Sequence, residues 1–257
     1  MALANALPPS HATSWRPDAE GRRYELGRPS YPDAAIEVLA DQLELRAGTR
    51  VVDVAAGTGK LTRLLLRTGA EVVAVEPMPG MRRQLRRHAA GAAVTSARAE
   101  ELPLRGGSAD AVTVAQAFHW FDVSQASREI RRVLRPGGHL ALVTNKRHTP
   151  EEWHKDLWRV LRRYEALAPR PPSSRHWRSA LDVGDDFGTF ERFEVHNQQR
   201  FESLEEFDAR FTSISFVILL AEEDRRALIR DLHAVVAGVD PLVVPLRTEI
   251  EVATRRG

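Results

Sequence analysis

The fold of this chain is decided by one stretch of sequence, Val51-Val52-Asp53-Val54-Ala55-Ala56-Gly57-Thr58-Gly59. An apolar, β-branched run takes in an aspartate and passes into small residues, which is typical of a buried strand that ends in a tight turn. A helix-like segment, residues 60–67, follows, and a second apolar run, residues 71–75, then ends at Glu76. Strand, glycine turn, helix, strand and acid is the plan of a nucleotide-type site at the head of a parallel sheet. The sequence therefore predicts that Glu76 accepts hydrogen bonds from two ribose hydroxyls.

The spacing of the glycines separates two classes of nucleotide-binding protein. The pattern over residues 53–59 is Asp-x-Ala-x-Gly-x-Gly, whereas dinucleotide enzymes favour Gly-x-Gly-x-x-Gly. With glycine in place of Ala55, the pattern resembles motif I of the class I methyltransferases that use S-adenosylmethionine. A side-chain methyl group disfavours left-handed backbone, so we expect Ala55 to avoid that conformation.

Further segments extend the resemblance. Residues 99–104 resemble the third-strand adenine segment of this family, residues 110–121 its fourth strand and exit loop, and residues 129–143 its helix, turn and fifth strand. Residues 24–32 are similar to the segment that precedes the core in the small-molecule branch that includes trans-aconitate methyltransferase-like proteins. Together these motifs are specific for the superfamily but give almost no information about the substrate.

The alternation of strand and helix patterns predicts an α/β protein with a parallel sheet. The resemblance, which covers residues 20–147, implies a Rossmann-like, doubly wound, mainly parallel seven-stranded sheet with an antiparallel edge strand and a helical lid insertion. We divide the chain into an N-terminal cover segment (1–32), an S-adenosylmethionine-binding core (33–147), a helical and loop lid insertion (148–186), and a C-terminal part (187–257) that completes the sheet and adds substrate-pocket helices.

Periodicity and turn residues give the elements outside the nucleotide motif. The first 20 residues, rich in Ala, Pro and Ser, are predicted to be irregular. The patterns predict helices over residues 33–43, 151–167, 203–211 and 222–237, and strands over residues 190–201 and 243–252.

The resemblance implies which residues bind the cofactor. Gly57 and Gly59 bring backbone amides to the methionine part of S-adenosylmethionine, and Asp53 offers a carboxylate there. Arg98 stands where many relatives carry an acid for the adenine amino group, and either Glu100 or backbone groups would replace it. The predicted cofactor-binding residues are Asp53, Ala55, Gly57, Gly59, Glu76, Pro77, Met78, Ala99, Glu100, Gln116 and Ala117.

Aromatic and polar residues after the fourth strand are candidates for the reacting end of the site. His119 is the candidate catalytic residue, because a neutral imidazole can accept a proton from a hydroxyl or amine. The alternative is that His119 only bonds the loop and shapes the pocket. The predicted substrate and lid residues are Tyr24, Arg28, Tyr31, Trp120, Trp153 and Phe216. Aromatics of the C-terminal half either line a substrate pocket or pack the extra helices; they are Trp153, Trp158, Trp177, Phe187, Phe211 and Phe216.

Composition excludes several other chemistries. The 257 residues include 37 Lys and Arg and 35 Asp and Glu. The resulting net charge of +2 does not by itself indicate nucleic-acid binding. The chain has no cysteine, which excludes disulfides, thiolate metal sites and thiol nucleophiles, and its nine histidines show no metal-ligand spacing. We expect no secretory signal, no membrane span and a cytoplasmic location. The sequence leaves the oligomeric state open.

The predicted reaction is methyl transfer from S-adenosylmethionine to an O, N, C or carboxylate acceptor on a small molecule, with S-adenosylhomocysteine as the product. Two alternatives stay open. A non-methylating protein could use the same scaffold to bind the sulfonium, because its cofactor site would look the same. A nicotinamide-dependent oxidoreductase is disfavoured by the glycine spacing.

Overall fold

A computed structural model describes residues 17–168 and 186–257. The strands within this part are Arg50–Val54 (β1), Glu71–Val75 (β2), Ala93–Thr95 (β3), Ala109–Ala115 (β4), Leu134–Arg147 (β5), Glu191–Arg200 (β6) and Val243–Thr254 (β7). The helices are Pro17–Gly27 (α1), Asp33–Gln42 (α2), Thr62–Leu65 (α3), Pro79–His88 (α4), Val123–Val133 (α5), Glu152–Glu165 (α6), Leu204–Thr212 (α7), Ser215–Ile218 (α8) and Glu222–Val236 (α9). Short 3₁₀ turns cover Leu66–Thr68 and Phe118–Trp120.

The seven strands form one sheet in the order β3-β2-β1-β4-β5-β7-β6. Strands β1 to β5 are parallel, and β7 runs antiparallel to both of its neighbours, β5 and β6. The predicted fold class is therefore confirmed, with the reversed strand one place in from the edge. The chain order of the strands reverses direction between β1 and β4, and such a switch point is where parallel sheets open a ligand crevice.

Both faces of the sheet are covered, which explains why its central strands are apolar throughout. Side chains alternate along β1: Val51 packs with Leu39 of α2 on one face, and Val52 packs with Ile130 of α5 on the other. Asp122 caps α5 by accepting a hydrogen bond from the amide of Gln125 at 3.0 Å. The core thus fixes β1 and β4 side by side and directs their carboxyl ends to the same edge.

The C-terminal helices form a second layer with its own core. This cluster joins α6, α7, α8 and α9 through Leu157, Phe211, Val217 and Leu228. Helix α1 packs on both α7 and α4. It approaches α7 so closely that a Cβ on Gly27 would lie 2.2 Å from a backbone carbonyl of that helix. The cover segment is therefore seated against the helical layer.

Most predicted elements match the structure within two or three residues at each end. The expectation that the first 20 residues are irregular is wrong from Pro17 onward, where α1 begins. Helix α8 was not predicted, because four residues are too few to show a period. The remainder of the cover segment, residues 1–16, and residues 169–185 of the lid insertion, including Trp177, lie outside the described residues. None of the helices described here has both the length and the apolar character that crossing a bilayer requires.

Candidate active site

The turn after β1 has an unusual backbone conformation at three positions. The backbone is left-handed at Ala55 (φ 56°), Gly57 (φ 60°) and Gly59 (φ 89°). Our expectation for Ala55 is therefore wrong. The turn is held by hydrogen bonds that outweigh the local strain of about 1–2 kcal/mol: the Ala56 amide donates to the Val75 carbonyl at 3.1 Å, and the Gly59 amide donates to the Ala56 carbonyl at 2.9 Å.

Gly59 also has a packing reason to lack a side chain. A Cβ there would lie 2.6 Å from Cδ1 of Leu85 in α4. The glycine thus lets α4 pack against the turn, and the turn is fixed from below by a helix that follows β2.

Glu76 directly follows β2 and is bonded to the glycine turn. Its Oε2 accepts a hydrogen bond from the Gly57 amide at 2.9 Å, and its Oε1 accepts one from the Met78 amide at 2.8 Å. Burial raises the pKa of this carboxyl, against the lowering effects of these two amides and of Arg82. Each carboxylate oxygen has two lone pairs, so each retains one for a ligand hydroxyl. The arrangement fits the predicted role at a ribose.

Asp53 lies fully buried in β1, beneath the turn. Its Oδ2 accepts a hydrogen bond from the Thr62 hydroxyl at 2.6 Å, and its Oδ1 accepts one from the Thr113 hydroxyl at 3.0 Å. Burial raises the pKa of Asp53 to about 6, although both hydroxyls lower it. Its carboxylate is thus tied to α3 and β4 on either side of the crevice, and it does not line the cavity described below.

In the predicted adenine segment, the carboxylate of Glu100 is hydrogen-bonded to other groups of the protein. Glu100 accepts hydrogen bonds from the Asp122 amide at 3.0 Å and from Nε of Arg98 at 3.2 Å. Glu100, the acid that the sequence offers for the adenine amino group, therefore pairs with Arg98, which stands where many relatives carry an acid. The other predicted cofactor residues of this region are buried or half-buried around the carboxyl edge: Pro77, Met78, Ala99 and Ala117.

A narrow cavity lies at the switch point, between the carboxyl edge of the sheet and the cover segment. The space within it that the centre of a water molecule can reach is about 90 Å³. Its walls come from the cover segment, the turn, the ends of β4 and β5, and α7. The lining residues are Tyr24, Arg28, Pro29, Tyr31, Ala55, Ala56, Gly57, Thr58, Lys60, Leu61, Ala115, Gln116, Asn145 and Arg210. The structure thus brings the predicted residues Tyr24, Arg28 and Tyr31 together with Ala55, Gly57 and Gln116.

Gln116 opposes the turn across this cavity and shares its unusual backbone. Its φ is 58°, and its amide donates to the Val143 carbonyl at 2.9 Å. Ala55 and Gln116, two non-glycine residues with left-handed backbone, therefore directly follow two adjacent strands, β1 and β4, at the same site. Such clustered strain is typical of functional sites.

Helix α1 is fastened to the glycine turn by one carboxylate. Glu25 accepts hydrogen bonds from the Thr58 hydroxyl at 2.5 Å and from Nη1 of Arg63 at 2.6 Å, and it lies 3.4 Å from Nζ of Lys60. Burial raises the pKa of Glu25, but these partners outweigh it and hold the pKa below its usual value. The cover segment is thus joined to the part of the crevice where a cofactor would lie.

The residues after α1 are pinned to the far side of the sheet by side-chain amides. Asn197 donates to the Ser30 carbonyl at 2.9 Å, Asn145 donates to the same carbonyl at 3.3 Å, and Gln199 donates to the Gly27 carbonyl at 2.8 Å. These bonds fix the path of the chain on both sides of Arg28.

His119 lies in the 3₁₀ turn after β4 and is half-buried. Desolvation by burial lowers its pKa, and the charge of Arg28 lowers it further. Its ring contacts that of Trp120 with centroids 4.9 Å apart. Neither residue is among those that line the cavity, so the catalytic role of His119 stays a prediction.

The predicted lid aromatics lie in the helical layer. Trp153 donates to Glu151 at 3.0 Å and packs against the ring of His154, and Phe216 is buried in the cluster of the C-terminal helices. Neither lines the cavity. Trp158 and Phe211 pack in the same helical cluster, and Phe187 packs in the core beside β7.

Sequence reasoning missed four polar residues of the cavity, namely Thr58, Lys60, Asn145 and Arg210. Thr58 lies inside the glycine motif itself. Lys60 directly follows the motif, and Asn145 lies near the end of the fifth strand, so position alone could have suggested both. Arg210 is a charged residue on the same face of α7 as Phe207 and Phe211, and a lone charge on an apolar face is an identifiable signal.

Comparison with known proteins agrees with this geometry. Residues 52–142 match the family described as a methyltransferase domain. An uncharacterised methyltransferase-like protein of Schizosaccharomyces pombe is 33% identical over 214 residues, which make up 82% of this chain and 82% of that protein. The chain therefore belongs to the class I S-adenosylmethionine-dependent methyltransferase family.

Two further comparisons show how far the likeness reaches. An uncharacterised methyltransferase of Mycobacterium tuberculosis is 48% identical over 140 residues, or 54% of this chain; the match spans 56% of that relative's length. A solved structure from Anaeromyxobacter dehalogenans, described as a proposed type II methyltransferase, superposes with a TM-score of 0.63 at 26% identity and covers 89% of this chain and 96% of that chain.

Proposed function

We propose that this protein transfers a methyl group from S-adenosylmethionine to an O, N, C or carboxylate atom of a small molecule. The observation that carries the proposal is the carboxylate of Glu76. It is buried, bonded to the amide of Gly57, and retains one lone pair on each oxygen at the carboxyl edge of the sheet. A pair of ribose hydroxyls matches these acceptors, and charged hydrogen bonds of this kind contribute about 1.5–3 kcal/mol each.

S-adenosylmethionine supplies a methyl group on a positively charged sulfur. The chain then has to align the acceptor with that methyl group and exclude water, and alignment alone can lower a barrier by about 7–11 kcal/mol. Gln116 and Ala55 bound the crevice from two strands, and Tyr24 and Tyr31 close it from the cover segment. His119 would accept a proton at its imidazole nitrogen only from an acceptor that must lose one.

A small molecule is favoured as the acceptor because the crevice is narrow and lies beneath α1. The similarity of residues 24–32 to the small-molecule branch supports the same conclusion. The main alternative remains a protein that binds the sulfonium without transferring its methyl group. The same backbone could bind the cofactor in either kind of protein. Analysis of the products therefore distinguishes a methyltransferase from a protein that only binds the cofactor.

The test is a substrate screen with methyl-labelled S-adenosylmethionine against libraries of small acids, alcohols and amines. We expect label in a small-molecule product and equimolar S-adenosylhomocysteine, both lost in Glu76→Ala. Tight cofactor binding with no labelled product from any acceptor class would favour the non-methylating alternative. Reduction of a nicotinamide cofactor would contradict both.

A further inference from the structure

Two arginines in the cavity have no acidic partner in the described part of the chain. Arg210 is only 8% exposed, and its Nε has no hydrogen-bond partner. Arg28 donates from Nη2 to the Ser213 carbonyl at 2.7 Å, while its own buried Nε is also unpartnered. Burial, together with the charges of Arg28 and Arg147, lowers the pKa of Arg210 to about 9. Both arginines line the same cavity.

The other charges around the cavity are already accounted for. Glu25 is bonded to Thr58, Lys60 and Arg63, so it neutralises the lysine of the cavity and not the two arginines. Asp53 is enclosed by two threonine hydroxyls. Arg147 lies over the ring of Trp158, 4.2 Å from its centroid, and adds positive charge near Arg210.

A buried guanidinium without a counter-charge is costly, and proteins seldom retain one without a ligand or a partner. Two exposed arginines of this chain, Arg50 and Arg132, pair with carboxylates. The planar fork of a guanidinium matches the oxygens of a carboxylate or a phosphate. Arg28 and Arg210 instead line one cavity, each with a buried Nε that has no hydrogen-bond partner in the described part of the chain, which indicates that a ligand brings the negative charge.

We propose that Arg28 and Arg210 form an anion subsite, which anchors a carboxylate or phosphate group of the methyl acceptor. This inference rests on the proposed function, because it names the substrate class of the same site. The two arginines belong to different elements: Arg28 directly follows α1, and Arg210 lies in α7. An anion held between them joins the cover segment to the helical layer, so substrate binding also draws the cover segment onto the crevice.

The test uses simple probes on the full chain at constant ionic strength: malonate, inorganic phosphate, and malonamide as the neutral analogue of malonate. Calorimetry is carried out on the parent protein and on Arg210→Met, Arg28→Met and Arg226→Met. Arg226 is an exposed arginine of α9 that pairs with Glu222, so it serves as the matched control. We expect malonate or phosphate to bind the parent and the control, and each cavity variant to bind at least about tenfold more weakly. The tighter of the two anions identifies the group that the subsite prefers.

Equal affinity for malonate and malonamide, or equal malonate affinity in Arg210→Met and Arg226→Met, would overturn the subsite. Affinity for S-adenosylhomocysteine is measured in the same samples and should stay within about twofold of the parent in each variant. If the parent protein binds S-adenosylhomocysteine but neither malonate nor phosphate, the anion subsite alone is rejected. If the parent protein does not bind S-adenosylhomocysteine, the proposed function is rejected. Melting without anions checks folding: Arg210→Met should melt at or above the parent temperature, because it removes a buried unpaired charge. A lower melting temperature would make Arg210 a structural residue.

Discussion

Glu76 joins the two halves of the proposed cofactor site, because its carboxylate accepts hydrogen bonds from the amide of Gly57 in the turn and from the amide of Met78 just before α4. We predict that Glu76→Ala weakens binding of S-adenosylhomocysteine by at least about tenfold, since charged hydrogen bonds of about 1.5–3 kcal/mol each are lost. Calorimetry measures the effect. The control is Glu71→Ala, because Glu71 is an exposed acid of β2, the strand that Glu76 follows. An unchanged dissociation constant in Glu76→Ala would place the ribose elsewhere.

Asp53 gives a prediction about stability and pH. Burial raises its pKa to about 6 from the ordinary value of 3.8, so the folded state binds this proton more tightly than the unfolded state. The free energy of unfolding therefore falls as the pH rises from about 4 to 6, by up to about 3 kcal/mol, and the loss is complete above that range.

Asp53→Asn removes this titration. We expect the variant to gain about 1–3 kcal/mol over the parent at pH 7.5 and much less at pH 4, as measured by urea unfolding. The same difference between variant and parent at both pH values would contradict the raised pKa. A stabilised variant that binds S-adenosylhomocysteine poorly would show that this carboxylate is retained for function at the expense of stability.

His119 gives a prediction about rate and pH. Its pKa is lowered by burial and by Arg28, so it is largely neutral at pH 7 and able to accept a proton. If it is the general base, His119→Ala lowers turnover at saturating substrate by roughly 10²–10⁴-fold and leaves cofactor affinity nearly intact. The parent rate should also fall at acidic pH, with a midpoint below the ordinary histidine value of 6.5.

The matched control is His139→Ala, because His139 also has a pKa lowered by burial but lies away from the carboxyl edge, in β5. The acidic limb should persist in this control and vanish in His119→Ala. A limb that persists in both variants would make His119 a structural residue, and the acceptor would then be ionised already or lose its proton to water.

Sequence alone could identify the residues that a local motif defines. Asp53 falls within a predicted strand, and Gly57 and Glu76 fall at fixed positions after predicted strands, so the arrangement of these residues follows from the parallel sheet. The left-handed backbone of Ala55 was not predictable in this way, because bonds to the neighbouring strand impose it against the local preference. The lone charge of Arg210 on the apolar face of α7 is visible in the sequence, but its position in the cavity depends on the packing of α7 against α1, which the sequence does not specify.

At the scale of elements, the cover segment closes the crevice through contacts that a single methyl group would break. Gly27 lies against the backbone of Ala209, and a Cβ at Gly27 would meet its carbonyl at 2.2 Å. The water-accessible space of about 90 Å³ is smaller than the roughly 300–1,000 Å³ typical of ligand pockets. We therefore predict that helix α1 moves outward to admit the proposed cofactor and returns to exclude water.

We predict that hydrogen exchange in residues 20–31 slows when S-adenosylhomocysteine binds, and that Gly27→Ala exchanges faster than the parent in both states. Overpacking of this kind costs about 1–3 kcal/mol. Gly188→Ala is the control, because a Cβ there would meet only ordinary contacts at 3.6 Å. Equal protection with and without ligand, or equal exchange in Gly27→Ala and Gly188→Ala, would make α1 static packing. We predict that hydrogen exchange also slows in residues 148–168, the described part of the lid insertion, when S-adenosylhomocysteine binds.

The elements themselves were largely predictable, for reasons of length and period. Helices α6 and α9 each run for 14 residues or more, long enough to show a clear apolar face, and the predicted ends differ by a few residues at most. The insertion of β7 between β5 and β6 is a matter of long-range pairing, which the strand patterns alone do not specify. Helix α1 was not predicted, and two of the residues that lie close to its neighbours α4 and α7 are glycines, Gly21 and Gly27, which give no apolar pattern.

At the scale of the whole molecule, the sheet order sets what the site can be. The switch point between β1 and β4 brings the glycine turn and Gln116 to one cavity, Glu76 is bonded to that turn, and the helical layer supplies a separate wall with Arg210. Different parts of the chain can thus hold a cofactor and an acceptor at the same time, as methyl transfer requires. The glycine spacing and the geometry of the turn favour S-adenosylmethionine over a dinucleotide at this crevice.

The most direct test of that claim is a calorimetric titration of the purified chain with S-adenosylhomocysteine and, separately, with NAD. The account predicts one S-adenosylhomocysteine site per chain, at least about 100-fold tighter than any binding of NAD, a difference of about 2.7 kcal/mol. The site should be weakened in Glu76→Ala and unchanged in Glu71→Ala. Binding of NAD more tightly than S-adenosylhomocysteine would contradict the assignment of this crevice to a methyltransferase cofactor.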